Sequence, residues 1–168
     1  TDRNGNLLWE KKFGGADNKA QANSVQICSD GGFILAGRSS SSNNSDAYLF
    51  KTDRNGNLLW EKKFGGGGFD EASSVQICSD GGFIVAGSAF TDAYLFKTDR
   101  NGNLLWEKKF GGADNEAQVS SVQICSDGGF IVAGSANNDA YLFKTDRNGI
   151  QSWYVLLDYS DLHTTSKE

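Results

Sequence analysis

The sequence predicts an all-β fold of repeated four-stranded antiparallel sheets, on three observations. The stretch TDRNGNLLWEKKFGG occurs three times unchanged, beginning at Thr1, Thr52 and Thr98, and a fourth occurrence at Thr145 leaves the pattern after Gly149. A tandem unit of 46 to 51 residues cannot bury its own apolar faces and must stack on its neighbours. The apolar runs are short, either alternating or apolar throughout, and no 3.6-residue periodicity is present. Of 168 residues 21 are Gly and none is Pro, and the glycines punctuate the apolar runs as DGG, RNG and FGG.

Within one unit the elements follow in order. Ser24–Cys28 alternates, with Val25 and Ile27 on one face and Gln26 and Cys28 on the other. Asp30-Gly31-Gly32 predicts a tight hairpin turn into Phe33–Gly37, whose two apolar faces suit a strand covered on both sides. A variable polar loop leads to Ala47–Lys51, again apolar on both faces. Asn55-Gly56 is a strong short-range hairpin signal. It opens Leu58–Phe64, the most charged strand and so the expected outer edge.

Four antiparallel strands in a unit of this length are the blade of a β-propeller, with an open stack of small sheets as the structural rival. The motifs SVQICSDGGFIVAGS, DAYLFKTDRNGNLLWEKKFGG and GGADNEAQ resemble the blades of bacterial and archaeal surface-associated β-propellers, including the delta-60-type repeats. The resemblance covers residues 1–149 and implies a blade architecture and an extracellular or cell-surface setting, with no particular activity. Two departures are a Cys before SDGG and a divergent tail over residues 150–168.

The chain opens inside a fourth strand, Asn6–Phe13, and reads on as two complete units and a third whose last strand is not standard. Three blades' worth of strands cannot close a ring of four to eight blades. The strand count therefore predicts a homodimer forming one six-bladed ring. Leu7, Trp9 and Phe13 of one copy would lie near Tyr141 and Phe143 of the other. The rival expectations are a fragment of a longer propeller, and a chain in which Ile150–Leu157 supplies the missing strand itself. With no Met, the chain is expected to be a segment of a longer product, with any targeting signal elsewhere.

Charge and residue inventory exclude several classes. The net charge is −5 and Lys and Arg form no basic stripe, which argues against nucleic acid as a partner. No apolar run approaches the roughly 18 residues of a membrane span. The single His, His163, lies in the polar tail, so no His-based triad or zinc site is expected and an enzyme is not predicted. No cofactor is expected. Cys28, Cys78 and Cys125 occupy one register at repeat spacing, which suits buried inert thiols between blades better than disulfides, metal or redox chemistry.

Asp53-Arg-Asn-Gly-Asn57 has the look of a calcium loop, but no carboxylate closes it, and a turn with local hydrogen bonds fits better. The Trp residues suit packing between units better than sugar stacking. Variation concentrates in the loops before each first strand and between the second and third strands. Any ligand is expected on that rim, at Asp17, Arg38, Phe69, Asp70, Phe90 and Asp114, unless those loops merely drift. The function this supports is a non-enzymatic module that assembles with itself and presents the rim to a protein or glycan. The alternative is a purely structural repeat or spacer.

Overall fold

The computed structural model describes residues 1–14, 19–41, 43–111 and 116–157. These residues form three four-stranded antiparallel meanders and contain no helix, and so none long and apolar enough to cross a membrane. Sheet I holds β1 (Lys19–Ile27), β2 (Phe33–Ser41), β3 (Asn44–Thr52) and β4 (Leu58–Phe64) in that order. Sheet II holds β5 (Asp70–Ile77), β6 (Phe83–Ala89), β7 (Asp92–Thr98) and β8 (Leu104–Phe110). Sheet III holds β9 (Ala117–Ile124), β10 (Phe130–Ala136), β11 (Asp139–Thr145) and β12 (Gln151–Leu157).

Alternation along each strand gives every sheet two different faces. One face of sheet II carries Val75, Phe83, Val85, Tyr94 and Phe96, packed on Cys28, Ile34, Ala36, Ala47 and Leu49 of sheet I. Its other face carries Cys78, Ile84, Ala86, Ala93 and Leu95, packed on Val119, Val122, Phe130, Val132 and Phe143 of sheet III. Aromatic side chains of one sheet thus fill the space left by small and aliphatic ones of the sheet before it. The first strands of successive sheets are also tied directly, since Ser24 Oγ accepts from Val75 N–H at 3.2 Å and Ser74 Oγ from Val122 N–H at 3.3 Å.

Two glycines carry most of the local geometry. Gly87 sits opposite a bulge between Ala72 and Ser74, where a methyl group would lie 1.9 Å from Glu71 O, so the Ala-Gly step of the second strand tolerates no side chain. Gly102 turns from β7 to β8 at φ +76, and a methyl group there would lie 2.7 Å from the Trp60 ring. Trp60 therefore lies over the turn of the next sheet while its ring meets Phe83 at 6.0 Å between centroids. The contact recurs with Trp106, Gly149 and Phe130.

Several expectations are revised. Most of the polar stretch expected as a loop is strand: β2 runs to Ser41 and β3 starts at Asn44, because main-chain pairing continues through Ser39–Asp46 and Ser41–Asn44 whatever the side chains. Arg38 is consequently a strand residue. Residues 6–13 form no strand. They lie across sheet I, with Trp9 6.0 Å from Phe33 and Phe13 4.9 Å from Phe50, as the fourth strand of a preceding sheet would. Gln151–Leu157 is the fourth strand of sheet III, pairing Tyr141 with Leu156 and Phe143 with Tyr154.

The edge that the strand count assigns to a second copy's Leu7, Trp9 and Phe13 is thus taken by β12 within the chain. Cys28 and Cys78 are buried free thiols, and burial pushes the Cys78 thiol up to about 11. Cys125 is only half-buried, since among the described residues no sheet covers that face of sheet III.

Gly81 and Gly102 both have positive φ, but only Gly102 has a tryptophan against it. Gly81→Ala should cost about 1–2 kcal/mol from the backbone conformation alone. Gly102→Ala should cost clearly more in denaturant titrations of the two variants. Equal losses would mean that the Trp60 contact contributes nothing.

Candidate functional site

The rim that joins each fourth strand to the next first strand carries the sequence variation, and sheet II shapes a groove there. The loop into β5 is held by Asp70 and by Asn44 and Ser45 at the start of β3. Asp70 folds beneath it, 2% exposed, and its carboxylate accepts from Gly66 N–H at 2.7 Å. Asn44 Oδ1 accepts from Gly68 N–H at 2.8 Å, and Ser45 N–H donates to Gly68 O at 3.0 Å. Asp70 is therefore a structural residue of the loop, although the sequence suggests it for contact.

With the loop fixed, Phe69 and Phe90 point into solvent, 66% and 71% exposed. Phe90 N–H donates to Phe69 O at 3.0 Å, extending the β5–β6 pairing by one step. Phe90 begins the two-residue β6–β7 turn at φ +57, the left-handed region where the corresponding turn of sheet III carries Asn137 and Asn138. An aromatic residue in that region costs about 1–2 kcal/mol, whereas Asn adopts it readily.

The two phenylalanines line an open groove of about 500 Å³ together with Asn23, Arg38, Glu71, Ser88 and Gln118, a volume in the range of ligand sites. Arg38 reaches Glu71 at 3.5 Å, and Asn23 Nδ2 donates to Glu71 Oε1 at 2.6 Å and Ala72 O at 2.9 Å. The two charged side chains of the groove thus neutralise one another. Of the residues the sequence suggests, the structure brings Arg38, Phe69 and Phe90 together here. Asp17 and Asp114 lie outside the described residues.

Asn23, Ser88 and Gln118 escape a search for reactive residue types. All three fall at positions where the units differ, which was the available signal.

The opposite rim repeats itself. Asp53 Oδ1 accepts from Asn55 N–H and Asn57 N–H, both at 2.8 Å, and Oδ2 accepts from Asn57 Nδ2 at 2.9 Å. Those hydrogen bonds hold its carboxyl below the usual range, and Asp2 and Asp99 behave alike. At the neighbouring turns Lys51, Lys97 and Lys144 donate to Asp30, Asp80 and Asp127 and lower those carboxyls too. Tyr48 and Tyr94 donate to Glu61 and Glu107, while burial above all raises both phenols. In sheet III, Tyr154 of β12 stands opposite Phe143 where Glu61 and Glu107 stand opposite Phe50 and Phe96. Among the described residues no group of three or more His, Cys, Asp or Glu is arranged to hold a metal ion.

No family model matches the chain, and no curated protein matches its sequence. Solved structures do match its fold. A protein of unknown function from Bacteroides caccae superposes with a TM-score of 0.64 at 19% identity, covering 90% of this chain and 50% of its own. A eukaryotic initiation factor superposes with a TM-score of 0.57 at 11% identity, covering 88% of this chain and 35% of its own. The chain thus spans about half the length of the first of these structures or less, and the likeness is one of fold.

Two predictions follow from the geometry of the rims. Phe90→Asn should raise stability by up to about 1 kcal/mol, because Asn accepts the left-handed turn; thermal melts of the two proteins decide it, and a lowered midpoint would contradict the assigned strain. The Asp carboxyls that are lowered in the folded chain stabilise it fully above their unfolded value near 3.8 and lose that contribution as pH falls through the lower folded values. Melting temperature should therefore hold between pH 7 and about pH 5 and fall below about pH 4. The Asp30→Asn/Asp80→Asn/Asp127→Asn protein should fall less steeply.

Proposed function

We propose that the chain is a non-enzymatic β-propeller module that assembles with a second copy into a six-bladed ring and presents the Phe69–Phe90 rim for binding. The observation that carries assembly is the state of the two terminal faces. Sheet III turns outward the residue set that sheets I and II bury against the sheet that follows them. Leu142 is 36% exposed where Leu49 and Leu95 are at 0%. Sheet I turns outward Val25, Phe33 and Leu35, the counterparts of the side chains by which sheets II and III pack on the sheet before them. Each end is the complement of the other, and apolar surface removed from water contributes roughly 25 cal/mol per Å².

Two copies related by a two-fold axis would make that junction twice. Asn6–Phe13 has the sequence of β4 and β8 and already lies on sheet I in the matching place. In the ring it pairs with β11 of the second copy. β12 gives way, its Tyr154, Val155 and Leu156 being exposed in the single chain. The carboxylates support a non-enzymatic reading, since those of the second rim are engaged in turns and ion pairs that repeat with the unit. The resemblance to surface-associated propellers supports an extracellular setting.

Sedimentation equilibrium should give twice the chain mass of 18.1 kDa at micromolar concentration. Labelling of Cys125 by a thiol reagent should slow as protein concentration rises, while Cys28 and Cys78 react only on unfolding. Removing residues 1–14 should weaken the dimer about tenfold or more, as loss of a strand's apolar contacts requires. A folded monomer with concentration-independent Cys125 labelling would overturn the assembly.

A further inference from the structure

Among the rim positions at which the middle unit departs from the third, two put an aromatic ring in water. Phe69 occupies the place of Glu116 and Phe90 that of Asn137. Phe90 N–H donates to Phe69 O at 3.0 Å just as Asn137 N–H donates to Glu116 O at 3.1 Å. The replacements therefore fall on a single cross-strand pair. Neither ring is used in packing, and Phe90 keeps an unfavourable left-handed backbone that Asn would relieve. Strain and exposed apolar surface held together at one point of the rim mark a contact surface.

We propose that Phe69 and Phe90 form a stacking platform for a neutral, β-linked, gluco-configured oligosaccharide. This rests on the reading of this rim as the binding face. In such a sugar every ring hydroxyl is equatorial, so each pyranose face presents only axial C–H bonds, an apolar disc suited to the negative face of an aromatic ring. Ser88 and Gln118 flank the rings and offer a hydroxyl and an amide to the equatorial hydroxyls. Arg38 and Glu71 are paired, so the groove carries no uncompensated charge to select an ionic ligand. The rings stand on an open floor among amides and hydroxyls, which suits a flat polar ligand with apolar faces better than an apolar peptide side chain that needs enclosure.

The test is calorimetric and NMR titration of the intact protein with cellohexaose, chitohexaose and mannohexaose, beside selection from a displayed peptide library. Cellohexaose or chitohexaose should bind better than mannohexaose, whose axial 2-hydroxyl breaks one apolar face. Phe69→Ala and Phe90→Asn should each weaken binding about tenfold. Loss of binding by Phe90→Asn without loss of thermal stability separates the platform from a folding effect. Sugar binding unchanged in both variants overturns the platform. Peptides selected by the wild type and lost with Phe69→Ala keep the rim as a binding face and overturn the sugar. Failure of both probes overturns the platform and the rim reading together.

Discussion

The placement of one tryptophan per junction organises the rest of this structure. Trp60 belongs to the last strand of sheet I, yet it lies over Gly102 and against Phe83 of sheet II. One ring thereby couples an outer strand, a turn and a core residue of the following sheet. The turn must present bare backbone to receive the ring, which is a second reason, besides positive φ, for Gly in the Asn-Gly step. Trp106 makes the same connection onto Gly149 and Phe130. Because the coupling always runs from one sheet to the next, the stack has a direction, and its two ends differ.

That direction explains the contrast between the two termini. Residues 6–13 reproduce the tryptophan contact on sheet I, Trp9 meeting Phe33 and Gly56, without any sheet of their own. Packing of side chains on a face and pairing of main chain along an edge are separable. The leading segment has the first without the second. β12 has the second without the first: it pairs along β11, but among the described residues no sheet covers Trp153 or Leu157, 44% and 55% exposed. Each end holds half of what an internal fourth strand holds.

The two rims divide regularity from variation for a physical reason. The turns that carry Asp30, Lys51, Asp53 and their repeats close on themselves through local hydrogen bonds and ion pairs that engage those carboxylates and lysines. The other rim is closed by contacts between loop and strand, such as Asn44 with Gly68, and between neighbouring sheets, such as Asn23 with Ala72. Its outward side chains are less constrained by the fold, so Phe69 and Phe90 can stand there among polar neighbours.

The sequence by itself determined the unit, its four strands, their order and the alternation that makes each sheet two-faced, because period-two patterning and Asn-Gly or Asp-Gly turns act within a few residues. It also singled out Arg38, Phe69 and Phe90 through their place in variable stretches. Only tertiary structure decided that 38–41 and 44–45 belong to strands, that Asp70 is engaged beneath Gly66, and that Cys125 differs from its two counterparts. Those outcomes depend on which sheet or loop lies opposite, and identical residues meet different neighbours at the middle and the end of a stack. The strand beside β11 was settled in the same way. Asn6–Phe13 carries the repeat's own sequence, but β12 follows β11 through a tight turn, so within one chain proximity outweighs the better-matched sequence.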